Sequence, residues 1–462
     1  LLGPATQLGS ETERHRMSRR LLSTAVFAAL AMSFLAPRVS WAADQPLSPS
    51  AQSAIKQLIV LPSNETTVLV NGEAVRWMAS RNQLAFRYLA FGWYSVKVPR
   101  VFAIKAFASL PMGSISPNRI NKIAAMTQGF RGPSDPPAAY PREIIGADTV
   151  HTSGNRGAGE TVAIIDTGID ETHPFFRTTD GNSSRINGQA CFATLAYGSR
   201  TYPCLNGQGS DTSAHSANIS NANASVQDTL GHGTHVAGIA AGNVGSISSP
   251  PSVIRDGIAP DAGIAAIRVF ADGGAYDEDI LAALSWVATH AALLNIASVN
   301  LSLGGNPDDQ CTSGSVGVYY SSYQTAFQNL VNLGVAPVLA AGNDSAGAVA
   351  GTAAISVPGC INPGISVAST DYNDLISTFS NVGYDIDLAA PGHNIASSYP
   401  LGVPLGGGAD GWVYMSGTSM ASPVVAGAFA LARAASPTTT ISDWLSLMRS
   451  TGTLVDDVYV QN

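Results

Sequence analysis

The sequence predicts an α/β fold: a three-layer arrangement in which a parallel sheet is covered by helices on both faces, preceded by a small α+β unit. Two patterns carry that prediction. Continuous apolar, β-branched runs recur at residues 161–165, 264–270, 297–303, 336–341 and 364–368, as strands buried on both faces require. Between them lie helix-length segments at 233–242, 279–294 and 321–333. Strand and helix alternating at this spacing imply βαβ crossovers. In such sheets functional residues collect beyond strand C-terminal ends and at helix N-termini.

The 462-residue chain is 45% hydrophobic, enough for at least one large core and, by length, about two to three units. Its net charge of −8 conceals a division. Residues 1–150 hold 16 Lys+Arg against 8 Asp+Glu, whereas residues 151–462 hold 8 Arg, no Lys and 24 Asp+Glu. A lysine-free acidic body argues against nucleic acid or an anionic membrane as its partner.

Taken in order, residues 1–16 are polar, lack an initiator Met and are expected to be upstream translation. Residues 17–43 read as a secretory signal: Arg19-Arg20 precede an apolar stretch shorter than a membrane span, and Ser40-Trp41-Ala42 offers small residues for cleavage. An uncleaved N-terminal anchor is the alternative. The expected product is secreted, extracellular or periplasmic, with no membrane contact after cleavage. Residues 44–130 differ in composition from the rest and hold every lysine. Apolar runs at 58–61, 67–70 and 94–98 alternate there with helix-like stretches such as 118–126. A proline-rich segment follows, with Pro133, Pro136, Pro137 and Pro141, so 131–145 is expected to be an exposed linker and processing region. The α/β domain then occupies 146–462.

Four cysteines in an exported chain suggest two disulfides, and sequence alone leaves three pairings open. Cys191–Cys204 and Cys311–Cys360 are favoured. The chain-entropy model gives about 3 kcal/mol for the shorter loop and about 4 kcal/mol for the longer.

Three segments carry chemistry. Asp166 follows the 161–165 run in Asp166-Thr167-Gly168-Ile169-Asp170; alone, a strand-end Asp is common turn chemistry. His232 lies among small residues in Gly231-His232-Gly233-Thr234-His235-Val236-Ala237-Gly238. Ser419 sits in Gly417-Thr418-Ser419-Met420-Ala421-Ser422-Pro423, ahead of an Ala-rich run. Alone it reads as a helix N-cap, but at the first turn of a buried helix the dipole and free N–H groups favour negative charge. Serine needs a base, and the base a carboxylate that sets its tautomer, so an acid, an imidazole and a hydroxyl at three element junctions suit nucleophilic catalysis. A metallohydrolase on His232 and His235 is the rival, weakened by the lack of a third ligand. His235 begins the apolar face of its helix and is expected to be a buried structural residue.

In order, and with these residues, the three motifs resemble those of the subtilases, the subtilisin-like serine endopeptidases. The resemblance spans about residues 140–455 and implies their α/β fold and an Asp166, His232, Ser419 triad working through an acyl-enzyme, with no cofactor in catalysis. Ala340-Ala341-Gly342-Asn343 resembles the segment whose asparagine amide, with the Ser419 N–H, donates to the oxyanion. Ser302-Leu303-Gly304-Gly305 resembles the strand that pairs with substrate, with Gly273 and Gly274 as the opposing edge and Ser356 near the pocket base. Cys311 and Cys360, and less clearly Cys191, fall where a secreted bacterial branch carries bridges. Residues 44–130 then stand where a propeptide would, a basic segment on an acidic enzyme, expected to be its intramolecular inhibitor and first substrate. The implied partners are polypeptides of broad sequence, and the implied state is a monomer. A catalytically silent member of the fold is the second rival.

Two departures stand out. Phe175 follows Asp170-Glu171-Thr172-His173-Pro174 where many subtilisins have a calcium-liganding aspartate. A structural calcium therefore rests on Asp228, Asp256 or Asp277-Glu278-Asp279. The C-terminal end also looks truncated before the family's closing strand and helix.

Overall fold

A computed structural model of the chain describes residues 65–71, 86–99, 114–123, 126–128, 140–193, 206–219, 227–271, 274–305, 320–344, 355–383, 385–402 and 411–455, with isolated positions between. The chain divides after Pro46. Residues 1–46, the expected signal included, the apolar run at 58–61 and the prolines at 133–137 lie outside the described residues. No helix among the described residues is long and apolar enough to cross a membrane.

The N-terminal unit is built on an antiparallel sheet of β1 (Glu65–Asn71), β2 (Phe86–Ala90), β3 (Trp93–Pro99) and β4 (Ile115–Pro117), in the order β2-β3-β1-β4. Phe91 and Gly92, both at positive φ (51° and 83°), make the β2–β3 turn, the hand that matches strand twist. The helix expected over 118–126 does not form. Instead β5 (Ile120–Ile123) lies antiparallel between Ala275–Tyr276 and Leu303–Gly304, and β6 (Met126–Gln128) pairs antiparallel with Trp412–Ser416. A helix this short is marginal by itself, and open strand edges elsewhere in the chain supply its backbone with better partners.

The body begins earlier than its sequence suggests. Part of the expected 131–145 linker is the short helix α1 (Pro141–Ile144). The Arg255 guanidinium covers the Tyr140 ring at 4.5 Å, and Arg142 pairs with Asp148 and Asp256. Next come α2 (Ala147–Thr152), β7 (Thr161–Asp166), β8 (Ile186–Phe192), β9 (Ser210–Asp211), α3 (Gln227–Ala241) and β10 (Gly263–Arg268). The chain continues through β11 (Ala275–Tyr276), α4 (Asp277–His290), β12 (Ile296–Leu301), β13 (Leu303–Gly304), α5 (Ser321–Asn332) and β14 (Ala336–Ala340). It finishes with β15 (Ile365–Thr370), β16 (Leu388–Pro391), β17 (Ile395–Ser398), β18 (Trp412–Ser416), α6 (Thr418–Ala435) and α7 (Ile441–Thr451).

Eight strands form the central sheet in the order β16-β15-β14-β12-β7-β10-β8-β9, parallel except for the short edge strand β9. All five strands expected from apolar runs are present. Alternation along β7 shows why such a run is apolar throughout. Val162 and Ile164 pack with Val236 and Ala240 of α3 and Val424 of α6, while Ala163 and Ile165 pack with Leu284 of α4 and Phe327 of α5. Successive side chains leave opposite faces, and both faces are covered by helices. The second of these cores is continuous with the small unit, through Val68, Trp93 and Val96.

Cys191 and Cys204 are bonded, their Cα atoms 5.7 Å apart, at the end of β8. Cys360 is also disulfide-bonded, while Cys311 lies outside the described residues. Of the positions offered for calcium, those that are described are otherwise engaged. Phe175 is buried, its ring 5.1 Å from that of Trp412, so no ligand stands there. Asp256 pairs with Arg142 and Arg156 and accepts from the Val244 N–H, and Asp277-Glu278-Asp279 faces arginines of the small unit. The Asp228 side chain lies outside the described residues.

Candidate active site

Asp166 ends β7, fully buried. Its Oδ1 accepts from the Thr167 N–H at 2.7 Å, and His232 Nδ1 approaches Oδ1 at 2.8 Å and Oδ2 at 3.0 Å. A carboxylate can only accept, so Nδ1 carries the proton and Nε2 the lone pair. His232 is buried, and its Nε2 has no partner among the described residues. The small residues around it permit the approach of α3 to β7. A Cβ at Gly233 would stand 2.3 Å from the Gly168 carbonyl oxygen and 3.1 Å from Asp166 Oδ1. In the same turn the Gly233 N–H donates to Thr167 Oγ1 at 2.9 Å.

His235 is buried as expected and turned to other partners. Its Nε2 lies 3.1 Å from both the Ile395 and Val413 carbonyl oxygens. Burial, with a smaller effect of His232, lowers its pKa to about 3. It is a neutral donor that joins α3 to β17 and β18.

Ser419 is the second residue of α6 and fully buried. Its Oγ donates to the Ser302 carbonyl at 3.1 Å, just beyond the end of β12. Pro423, inside the helix, has no N–H to give to the carbonyl four residues back, which is that of Ser419. Ser302 Oγ takes the vacant place at 2.8 Å. Ser302 is held in turn by Asn300 Nδ2 at 2.9 Å, and Asn300 Oδ1 by Ser422 Oγ at 2.6 Å. One polar chain therefore fastens the first turn of α6 to the end of β12.

Asn343 follows β14 in the loop that meets the start of α6. Its Oδ1 accepts from the Thr418 N–H at 2.9 Å and Thr418 Oγ1 at 3.0 Å, while Thr418 Oγ1 accepts from the Gly342 N–H at 3.1 Å. With the oxygen anchored, the amide nitrogen is set in direction. Nδ2 is buried and has no partner among the described residues. The Ser419 N–H, among the first four of α6, has no intrahelical acceptor.

Of the expected substrate edge, Leu303 and Gly304 form β13, paired with Ile123 and Lys122 of β5. On its other side β5 pairs with β11, Ala275–Tyr276, next to the expected Gly273 and Gly274. Gly274, at φ 136°, closes a tight turn onto Ala271, and Gly273 lies outside the described residues. The two residues that follow Gly274 lie alongside β5. Ser356 is buried directly behind Gly304, where an added Cβ would come within 3.1 Å of its own. Thr418, Asn300 and the β11 backbone are the site residues that sequence reasoning missed. Only Thr418 carried a signal, its place beside Ser419.

Residues 157–458 match the subtilase family. The chain belongs to the subtilase family. It is 28% identical to subtilisin DY of Bacillus licheniformis over 321 residues, covering 69% of this chain and 93% of that protein. Subtilisin BL of Lederbergia lenta is 30% identical over 294 residues, 63% of this chain and 83% of its own. Subtilisin E of Bacillus subtilis is 29% identical over 316 residues, 68% of this chain and 66% of its own. This subtilase is a serine-type endopeptidase, and its fold is the α/β fold of the family.

Proposed function

We propose that Ser419 is the nucleophile, His232 its general base and Asp166 the group that orients His232, with Asn343 Nδ2 and the Ser419 N–H as oxyanion donors. Rotation about the Ser419 Cα–Cβ bond carries the hydroxyl from the Ser302 carbonyl to His232 Nε2. The proton passes to Nε2 as Oγ attacks the scissile carbonyl, and the two donors hold the tetrahedral oxygen. His232 then protonates the leaving amine, and water repeats the sequence on the acyl-enzyme. The observation that carries this reading is the pair of buried nitrogens without partners among the described residues, His232 Nε2 and Asn343 Nδ2. A buried polar group left so costs about 1–3 kcal/mol, a cost that is recovered when a reacting group binds there.

The small unit serves as the intramolecular inhibitor and first substrate. β5 lies on β11 and β13 as an extended peptide lies on an open edge, and β6 pairs with β18, the strand that leads into α6. Self-processing therefore falls between Ile123 and Met126, upstream of the 131–145 region. Main-chain pairing along Leu303–Gly304 is tolerant of sequence, which fits broad specificity. A disulfide between Cys191 and Cys204 suits an oxidising, extracytoplasmic compartment.

Mass spectrometry of the expressed chain after treatment with a fluorophosphonate tests the reading. Ser419 is expected to carry the label, the mature N-terminus to fall between residues 123 and 126, and Ser419→Ala to stay full-length and unlabelled. Peptide hydrolysis persisting in folded Ser419→Ala, or a label on another serine, would overturn it.

A further inference from the structure

We infer that the head of α4 is a recognition site for an arginine side chain of bound polypeptide, upstream of the cleaved bond, and that Arg119 is its first occupant. The inference rests on β11 and β13 being the substrate edges. Arg119 is 4% exposed and immediately precedes β5. Its Nε donates to Asp277 Oδ2 at 2.8 Å, its backbone N–H to the same oxygen at 3.0 Å, and its carbonyl accepts from the Asp277 N–H at 3.0 Å. The guanidinium lies 4.4 Å over the ring of Tyr320. Asp277 Oδ1 accepts from Tyr323 OH at 2.7 Å and from Asn121 Nδ2 at 2.8 Å. Beside it, Asn118 and Glu278 exchange two hydrogen bonds, at 3.0 and 3.1 Å.

The partition of these groups between the two parts of the chain is what points to a ligand. Asp277, Glu278, Tyr320 and Tyr323 belong to the body, while the one cation on Asp277 among the described residues comes from the segment lying along the substrate edges. Asp277 is 1% exposed, and a buried carboxylate without a compensating cation is costly. Once that segment leaves, Asp277 keeps the Tyr323 hydroxyl and an aromatic face, a setting that a planar guanidinium fits better than an ammonium. Lys122 pairs with Gly304, so the register puts the selected arginine three residues ahead of the one facing Gly304. The contact is remote from the reacting carbonyl and equal in ground and transition states, so it acts on KM.

The test uses the processed enzyme and peptides of the sequence of residues 114–128, with arginine, lysine or alanine at position 119. The arginine peptide is expected to exceed the alanine peptide by at least about tenfold in kcat/KM, through KM, with lysine between. Asp277→Asn in the enzyme should erase the preference. A difference under about twofold, or a preference surviving Asp277→Asn, would overturn the site. A second measurement needs no turnover. In the full chain carrying Ser419→Ala and Arg119→Ala, ethylguanidinium should raise the melting temperature saturably and more than ethylammonium, but not when Asp277→Asn is added. No saturable rise, or the same rise with Asp277→Asn, would likewise overturn it. An enzyme that cleaves no peptide would sink the hydrolytic reading, and the second measurement would still decide the site.

Discussion

Asn343→Leu removes one side-chain donor of similar size from the proposed oxyanion site. Nδ2 makes no other hydrogen bond among the described residues, so its loss in catalysis is the loss of one charge-assisted hydrogen bond to the tetrahedral oxygen. Removing one such preorganised donor costs about 10²–10³ in kcat, roughly 2.7–4 kcal/mol. KM should stay within about threefold, because the ground-state carbonyl gains little from that donor. Leucine also strands the Thr418 N–H and hydroxyl, which now bond to Asn343 Oδ1, a stability cost of about 1–3 kcal/mol. Thr418→Val separates the two effects. It leaves the Thr418 N–H bond to Asn343 and removes only the hydroxyl, so aim is loosened and kcat should fall about five- to tenfold, near 1 kcal/mol. The assay is steady-state hydrolysis of a chromogenic peptide, with melting temperatures recorded in parallel. The reasoning fails if Asn343→Leu keeps more than about a tenth of wild-type kcat, or if the loss appears in KM.

His173 is buried against Trp412, with Nε2 donating to the Gly411 carbonyl at 3.0 Å, and burial lowers its pKa from 6.5 to about 4. Because the folded pKa is depressed, the unfolded chain takes up the proton first. Stability is therefore intact above pH 6.5 and falls by about 3 kcal/mol as pH drops to 4. Urea unfolding of Ser419→Ala followed by tryptophan fluorescence should show a shallower decline over that range in His173→Gln; equal slopes would refute it. Cys191 and Cys204 are 13 residues apart, so replacing both with serine should cost about 3 kcal/mol, and an unchanged unfolding midpoint would show that the loop is already constrained without the bond. Gly233→Ala drives a methyl group toward the Gly168 carbonyl and the Asp166 carboxylate. Displacing His232 by a fraction of an ångström should lower kcat by about 10², and activity within about threefold of wild type would mean that α3 has room to move.

Much of the body is legible in the sequence because each strand is buried by the same rule at every position. Val162 to Ile165 is apolar throughout since both faces are covered. β8 escaped because Asn187-Gly188-Gln189 reads as a turn, yet in the structure Gln189 donates to Glu171 and Asn187 to Thr161 at the polar margin of the sheet. The three residues of the proposed triad stand in recognisable motifs, but what holds them is not legible there. The Ser422, Asn300, Ser302 chain joins residues more than a hundred positions apart, and no spacing within a motif announces it. The stretch 118–126 failed for the same reason from the other side. Its conformation is set by β11, β13 and β18, edges that a local window cannot contain.

The charge division has a local meaning that the bulk count could not supply. A surplus of 16 basic over 8 acidic residues in the first 150 positions and of 24 acidic over 8 basic beyond them suggests a diffuse attraction, which salt would screen within about 10 Å. The structure concentrates part of it at one point. Arg119 meets Asp277, and Arg87 lies 3.6 Å from Glu278 and 3.9 Å from Asp279, all at the first turn of α4. The two arginines differ in kind. Arg87 is half-exposed, 39% by side chain, and a pair of that sort is worth little. Arg119 is enclosed with its carboxylate, where losing one partner strands the other. Raising the salt concentration should therefore weaken the Arg87 contacts and leave the Arg119 pair nearly untouched. Arg119→Ala should accelerate release of the small unit after cleavage far more than Arg87→Ala, read as the recovery of peptidase activity with time. Equal recovery in the two variants would mean that the attraction is diffuse after all.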